Sequence, residues 1–476
     1  MASSSDDDDD LIPQMYSTID EISRHLHHTG SIISAANCDA NSSTTLHEKT
    51  KNKTHLFLHF DVNETILLGD PAGGDSVHEC VNKIIAKSAF VSTSGIDDHQ
   101  DDPTQPRIKR SPSSGNICDT HQFEPTHWWN GMSINDCDSA PPPLYTGWVI
   151  PPNTCPFYRT RYKVHAKKFT STLHGQVYRP LYEKLCLKMG LDCAHADDGI
   201  GGESDVQQYQ PTSVFKHFLP AFWQTLQYYF PSTKTELSNE YAQSAVVVSV
   251  GTDCRRLPPP QKVTLVLRTF GLDLPRVATA ISEFAKGNHP DYPTYSNEDL
   301  ILAEGDLFCS GWSYHSNGSD DKEELVYSLH RASDQGEKGE PVYSGDDDIL
   351  NFLQTKTIVG IQDNYPFWRE NNHAPWAGKP VWTNTFVHGH DHHHVLLDDN
   401  IHNDPSDGAG GIRVPVVSEN DEDGGSSNNY NRYESLHGQE ALDLHGRHLI
   451  RVPTIRPSLE DDWFIRQIEM ARWLER

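Results

Sequence analysis

Residues 55–60 read His-Leu-Phe-Leu-His-Phe, and the run stops abruptly at Asp61. A short apolar run ended by a charged residue suits a strand buried on both faces, which is the situation of a parallel sheet. A Gly/Pro-rich loop from Gly69 to Gly74 follows, and Val77, Val81, Ile84 and Ile85 then fall at helical spacing, with Asp75 placed to cap them. Strand, loop and helix in this order open a βαβ unit. Its next parallel strand can be reached only by a crossover, so the beginning already restricts the topology.

The alternation continues. Residues 263–267 form a strand that ends at Arg268-Thr269, and a helix follows at once, with Asp273 as cap, Pro275 in its first turn, Val277, Ile281 and Phe284 on its buried face, and Gly287 at its end. Residues 358–361, 395–397 and 449–453 are further strands. Helical stripes run through Val177, Leu181, Leu185 and Met189, through Val214, Phe218, Phe222, Leu226 and Tyr229, and through Phe464, Ile468, Ala471 and Leu474. The pattern predicts an α/β fold, a three-layer, doubly wound and mainly parallel sheet.

Long polar stretches interrupt this pattern. Residues 1–53, 94–142 and 403–438 bury too little to fold and are expected to be disordered. The core is then 54–90, 211–287 and 355–476, with 91–210 and 288–354 as insertions, cap-like where ordered. In the second insertion, 306–314 and 324–330 are expected to pair as a small antiparallel flap.

A net charge of −28 makes nucleic acid and anionic membranes unsuitable partners. No apolar run reaches the length of a membrane span, and the start, Ser-Ser-Ser followed by Asp6 to Asp10, is unlike a secretory signal. Nine cysteines without a Cys-x-x-Cys pair read as free thiols in a reducing compartment. The expectation is a soluble, cytoplasmic protein.

In a doubly wound sheet the site lies beyond the carboxyl ends of the strands. Those ends carry Asp61 with Asn63 and Thr65, Thr269, and Asp398 with Asp399. Carboxylates from two strand ends can hold a hard cation such as magnesium, and a hydroxyl from a third can hydrogen-bond an anion. Lys379 is a candidate cation for that anion, with Lys356 as the alternative.

Taken in order, residues 57–67, 265–269, Lys379 and 394–399 resemble the motifs of the haloacid dehalogenase-like superfamily of phosphohydrolases. The pattern there is an apolar strand followed by Asp-x-Asp-x-Thr, a strand ending in Ser or Thr, a lysine, and paired Asp after a further strand. The resemblance implies a Rossmannoid core and a magnesium-dependent phosphatase acting on a phosphorylated small molecule or phosphoprotein. It implies that Asp61 is the nucleophile, that Thr269 and Lys379 hold phosphate oxygens, and that Asp61, the Asn63 carbonyl, Asp398 and Asp399 bind magnesium. Asn63 stands where the family's phosphatases carry the aspartate that protonates the leaving group and then activates water. An amide does neither, and loss of such a group costs ~10² to 10⁴ in rate. The alternative is a catalytically silent relative that binds a phosphorylated ligand or a protein partner.

Three further features read as incidental. The tract of His388, His390, His392, His393 and His394 falls at the amino end of its strand, about 10 Å or more from the strand-end carboxylates, and is taken as adventitious or no metal binding. Arg107 to Arg110 is a short basic run in a polar segment. The Gly69 to Gly74 loop lacks the Gly-Lys-Ser/Thr ending of a phosphate loop and reads as a flap beside Asp61.

Overall fold

The computed structural model describes residues 55–69, 74–93, 124–136, 142, 144–147, 151–160, 162–191, 214–233, 249–250, 253–254, 257, 259–316, 323–332, 340–383, 392–402, 406–416 and 433–475. In chain order the first strands are β1 (His55–Asp61), β2 (Phe90–Ser92), β3 (Thr154–Pro156), β4 (Ser249–Val250), β5 (Asp253–Cys254), β6 (Lys262–Thr269), β7 (Leu307–Ser316) and β8 (Glu323–Arg331). They are followed by β9 (Tyr343–Ser344), β10 (Ile358–Gln362), β11 (Lys379–Trp382), β12 (His392–Asp398), β13 (Gly410–Pro415), β14 (Tyr433–Ser435) and β15 (Leu449–Arg451). Contacts divide the chain into two units, one made of 1–51, 78–199 and 249–254, the other of 52–77, 200–248 and 255–476.

The first unit contains nearly all of helix Val77–Ser88, helix Arg179–Lys188, and the antiparallel pairs β2–β3 and β4–β5. Residues 124–136 belong to it and are folded, which corrects the expectation of disorder there. Trp128 is buried, edge-on to Tyr178. Asn82 Oδ1 accepts from both the backbone N–H and the hydroxyl of Thr170, an arrangement of residues far apart in sequence that composition cannot reveal.

The second unit is built on an eight-stranded sheet in the order β15-β12-β1-β6-β10-β7-β8-β9. Pairing is parallel from β15 to β7 and antiparallel through β8 and β9, so the fold is α/β with a mixed, mostly parallel sheet. Both faces are covered. On one, Phe57, Val266, Val359 and Ile361 pack with Ile349, Leu350, Phe352 and Leu353 of helix Asp346–Thr355. On the other, Phe60 meets Phe222 of helix Pro220–Tyr229 and Phe464 of helix Trp463–Leu474, both edge-on. Each such aromatic, fully buried, contributes ~1.5–3 kcal/mol. Among the described residues, no helix is long and apolar enough to cross a membrane.

Three local expectations are corrected. The hairpin in 288–354 forms, as β7 and β8, but it is no separate flap: β7 pairs with β10 and extends the central sheet. Residues 410–415 lie in the segment expected to be disordered and instead form the mostly buried strand β13, paired with β11. Strand β12 begins at His392 rather than Val395, because His392, His393 and His394 pair in register with His55, Leu56 and Phe57 and are buried. The segments 1–53, 94–123 and 417–432, the Arg107 to Arg110 run, His388 and His390 lie outside the described residues.

Candidate active site at the strand ends

Parallel register brings the ends of β1 and β12 side by side, with Phe60 opposite Leu397, so Asp61 and Asp398 leave adjacent strands at the same level. Asp61, Asp398 and Asp399 each place a carboxylate oxygen within 4.8 Å of the others. The chain after β1 turns back sharply: the N–H groups of Ile66 and Leu67 both donate to the Val62 carbonyl, and Glu64 takes a positive φ of 56°. A non-glycine residue in that region costs ~1–3 kcal/mol. The turn returns Thr65 to the strand end, where its hydroxyl donates to Asp61 Oδ2 at 3.1 Å and accepts from the Asp399 N–H at 3.2 Å. The Asn400 N–H donates to Asp398 Oδ1 at 2.8 Å.

Lys379 opens β11, which runs parallel to β13. Gly378 makes this placement possible, since a Cβ there would lie 2.1 Å from the Ala409 carbonyl oxygen. The buried ammonium donates to Asp61 Oδ1 and, at 2.7 Å, to Asp398 Oδ2, and stands 4.7 Å from the centre of the Phe270 ring. Burial opposes its charge, yet Asp398 and Asp61 outweigh that and raise its pKa above the ordinary lysine value. Burial also pushes the Asp61 carboxyl well above the usual carboxylate range; Lys379 opposes this and Asp398 and Asp399 add to it. Lys356, the alternative lysine, precedes the amino end of β10, an interior strand, and so lies away from the carboxyl strand ends; it pairs with Asp306 at 2.7 Å.

Asn63 and Thr269 belong to a second group gathered around Gly271. A Cβ on Gly271 would lie 2.8 Å from Asp273 Oδ2, 3.1 Å from Asn63 Nδ2 and 3.5 Å from Thr269 Oγ1. The Thr269 hydroxyl accepts from the Gly271 N–H at 2.9 Å. Asn63 Nδ2 donates to Asp273 Oδ2 at 3.0 Å, while Asn63 Oδ1 is buried with no partner among the described residues. Asp273 precedes helix Leu274–Ala285, but its side chain makes no cap hydrogen bond, a correction to its expected role.

Beneath the site Arg268 and Asp363 form a fully buried, two-pronged ion pair, Nε to Oδ2 at 2.9 Å and Nη2 to Oδ1 at 2.5 Å. Arg268 Nη1 also donates to the carbonyl of Pro380, the neighbour of Lys379, at 3.0 Å, and the Asp363 N–H donates to the Thr269 carbonyl at 2.6 Å. This pair joins three strand ends of the site. Asp273, Gly271 and Asp363 were not singled out for the site in the sequence, although a charged arginine inside an apolar strand is a signal that a buried acid must exist.

Comparison of the chain with protein-family models, with curated proteins and with solved structures finds no match.

Proposed function

We propose that the chain is a phosphoryl-transfer enzyme with a haloacid dehalogenase-like core, taking the phosphoryl group of a phosphomonoester onto Asp61 in the presence of magnesium. The observation that carries this reading is the convergence of Asp61, Asp398 and Asp399, with Lys379 between two of them. Three carboxyl groups beside one ammonium offer hard oxygen donors with a net charge of −2 when all three are ionised, a set that fits a divalent magnesium ion better than a soft metal. Asp61, Asp398, Asp399 and the Asn63 carbonyl would hold it. When bound, magnesium would neutralise charge as a phosphate approaches a carboxylate.

The chain's own groups would do the rest. Thr65 fixes one oxygen of Asp61 so that the other is free to attack phosphorus when Lys379 turns to a phosphate oxygen. The P–O ester bond breaks as the Asp61–phosphorus bond forms, and the leaving oxygen needs a proton. Asn63 has none to give; Asp273, which Asn63 holds at 3.0 Å, is the carboxyl available to give it and later to take one from water. Specificity for a small molecule or a phosphoprotein would come from groups around this strand end.

The silent alternative, a protein that binds a phosphorylated ligand or partner without turnover, draws on one observation, the amide at position 63. A phosphatase screen of purified protein with and without magnesium, beside Asp61→Asn, separates the two. Magnesium-dependent release of phosphate that disappears in Asp61→Asn supports the enzyme; phosphate binding without release, equal in both forms, supports the binder.

A further inference from the structure

A different group of side chains lies at the amino end of β12. His393, His448 and Glu475 each offer a ligand atom, and these atoms lie within 4.8 Å of one another. They come from three separate places: the second residue of β12, the residue before β15, and the C-cap of helix Trp463–Leu474. Asp398 lies five positions after His393 along β12, about 16 Å at ~3.3 Å per residue, so this group is remote from the strand-end carboxylates.

Both imidazoles are held in a defined way. His393 Nε2 contacts the Arg447 carbonyl at 2.8 Å, and His448 Nδ1 contacts the His394 carbonyl at 2.8 Å. A carbonyl can only accept, so each of these nitrogens carries a proton, and in the neutral form of each ring the lone pair sits on the other nitrogen, Nδ1 of His393 and Nε2 of His448. One N–H fixed on a backbone carbonyl, with the opposite nitrogen turned toward the other ligands, is how metal-ligating histidines are usually oriented. His448 Nε2 lies 3.4 Å from Glu475 Oε2. Two ligands at ~2.0–2.1 Å from a tetrahedral ion are about 3.3 Å apart, so this spacing already suits one. The Thr383 hydroxyl donates to His448 Nε2 at 3.1 Å, a hydrogen bond that a metal ion on Nε2 would replace, with Thr383 Oγ1 then a further oxygen beside the group. The rings of His393 and His448 meet edge to face, with centroids 5.0 Å apart.

We infer that His393, His448 and Glu475 bind a divalent transition-metal ion of the zinc class, which fastens the C-terminal helix to β12 and to the start of β15. Two imidazoles and a carboxylate select zinc, cobalt or nickel over magnesium, which prefers oxygen alone. The ion is structural and separate from the proposed phosphoryl-transfer site.

The test uses metal-free full-length protein titrated with cobalt(II) and read by visible absorption. A single equivalent of cobalt should give the ligand-field bands of a low-symmetry four-coordinate site, zinc should displace it, and magnesium should not. Affinity should fall at least about tenfold in His448→Gln and in Glu475→Gln. Glu475→Gln keeps the side-chain volume at a partly exposed position, so a folding failure in His448→Gln would not decide the matter. Asp398→Asn with Asp399→Asn, and His388→Ala with His390→Ala, should leave cobalt binding as in wild type. Absence of the bands in wild type, their persistence in both His448→Gln and Glu475→Gln, or their loss in the His388 and His390 variant would overturn the inference.

Discussion

The side-chain amide of Asn63 donates to the carboxylate of Asp273 at 3.0 Å across 210 positions of sequence, and so joins the loop after β1 to the start of the helix after β6. Replacing Asn63 by Asp would set two carboxyls together. Such a pair cannot both ionise at neutral pH, and the one that retains its proton is a general acid. Phosphatase activity of Asn63→Asp on p-nitrophenyl phosphate should rise at least about tenfold, ~1.4 kcal/mol in the barrier. Asp273→Asn should lower the wild-type rate by ~10² to 10⁴. Steady-state kinetics check both, and an Asp273→Asn enzyme as fast as wild type would remove Asp273 from the mechanism.

Gly271 is the point about which Asn63, Thr269 and Asp273 gather. Gly271→Ala would push its methyl group against Asp273 and Asn63 and displace both by a few tenths of an ångström or more. Turnover should fall about tenfold or further, because catalytic groups tolerate little misplacement. The melting temperature should change little. Comparing kcat with thermal unfolding separates this from general destabilisation.

Arg268 and Asp363 are both completely buried, so removing one charge leaves the other uncompensated. Asp363→Asn should cost ~3–5 kcal/mol, measured by denaturant unfolding. The double change Arg268→Met with Asp363→Leu should cost less than Asp363→Asn alone, since no charge is then left behind.

The strand ends were legible because a parallel β1 and β12 must deliver Asp61 and Asp398 to the same side, and an abrupt change from apolar to acidic marks each end. The start of β12 was not, because histidines count as polar in a periodicity; in the fold His394 stacks on Phe57 and burial holds its pKa well below the ordinary value, so it packs as a neutral ring. The β7–β8 hairpin was legible as a hairpin but not as part of the sheet, because local alternation is the same for a free flap and for an added edge. Asp363 and Asp273 were missed as site residues because their partners, Arg268 and Asn63, lie far away in the chain and no local pattern links them.

Asp61 also sets a pH dependence. Its pKa is raised in the fold by burial, so the folded state binds the proton more tightly than the unfolded chain does. That contribution to stability is present below the unfolded carboxylate pKa and is lost as pH rises through the folded one. In chelator, Asp61→Asn should therefore gain stability relative to wild type as pH rises above the unfolded carboxylate pKa of about 4. With magnesium the order should reverse, and Asp398→Asn with Asp399→Asn should abolish magnesium stabilisation altogether. Thermal melts across pH, with and without magnesium, give both results.

The most direct measurement is to look for the phosphoryl group on Asp61 itself. With an amide at position 63, water must be activated by Asp273 from behind the Asn63 side chain, so hydrolysis should be slow and an aspartyl-phosphate should persist long enough to be trapped by acid quenching after incubation with p-nitrophenyl phosphate and magnesium. Mass spectrometry of the quenched protein and its peptides should find phosphate on the segment containing Asp61 in wild type, less of it in Asn63→Asp, and none in Asp61→Asn or without magnesium. No adduct in wild type and Asn63→Asp alike, in the absence of turnover by either, or an adduct that survives Asp61→Asn, would contradict the account.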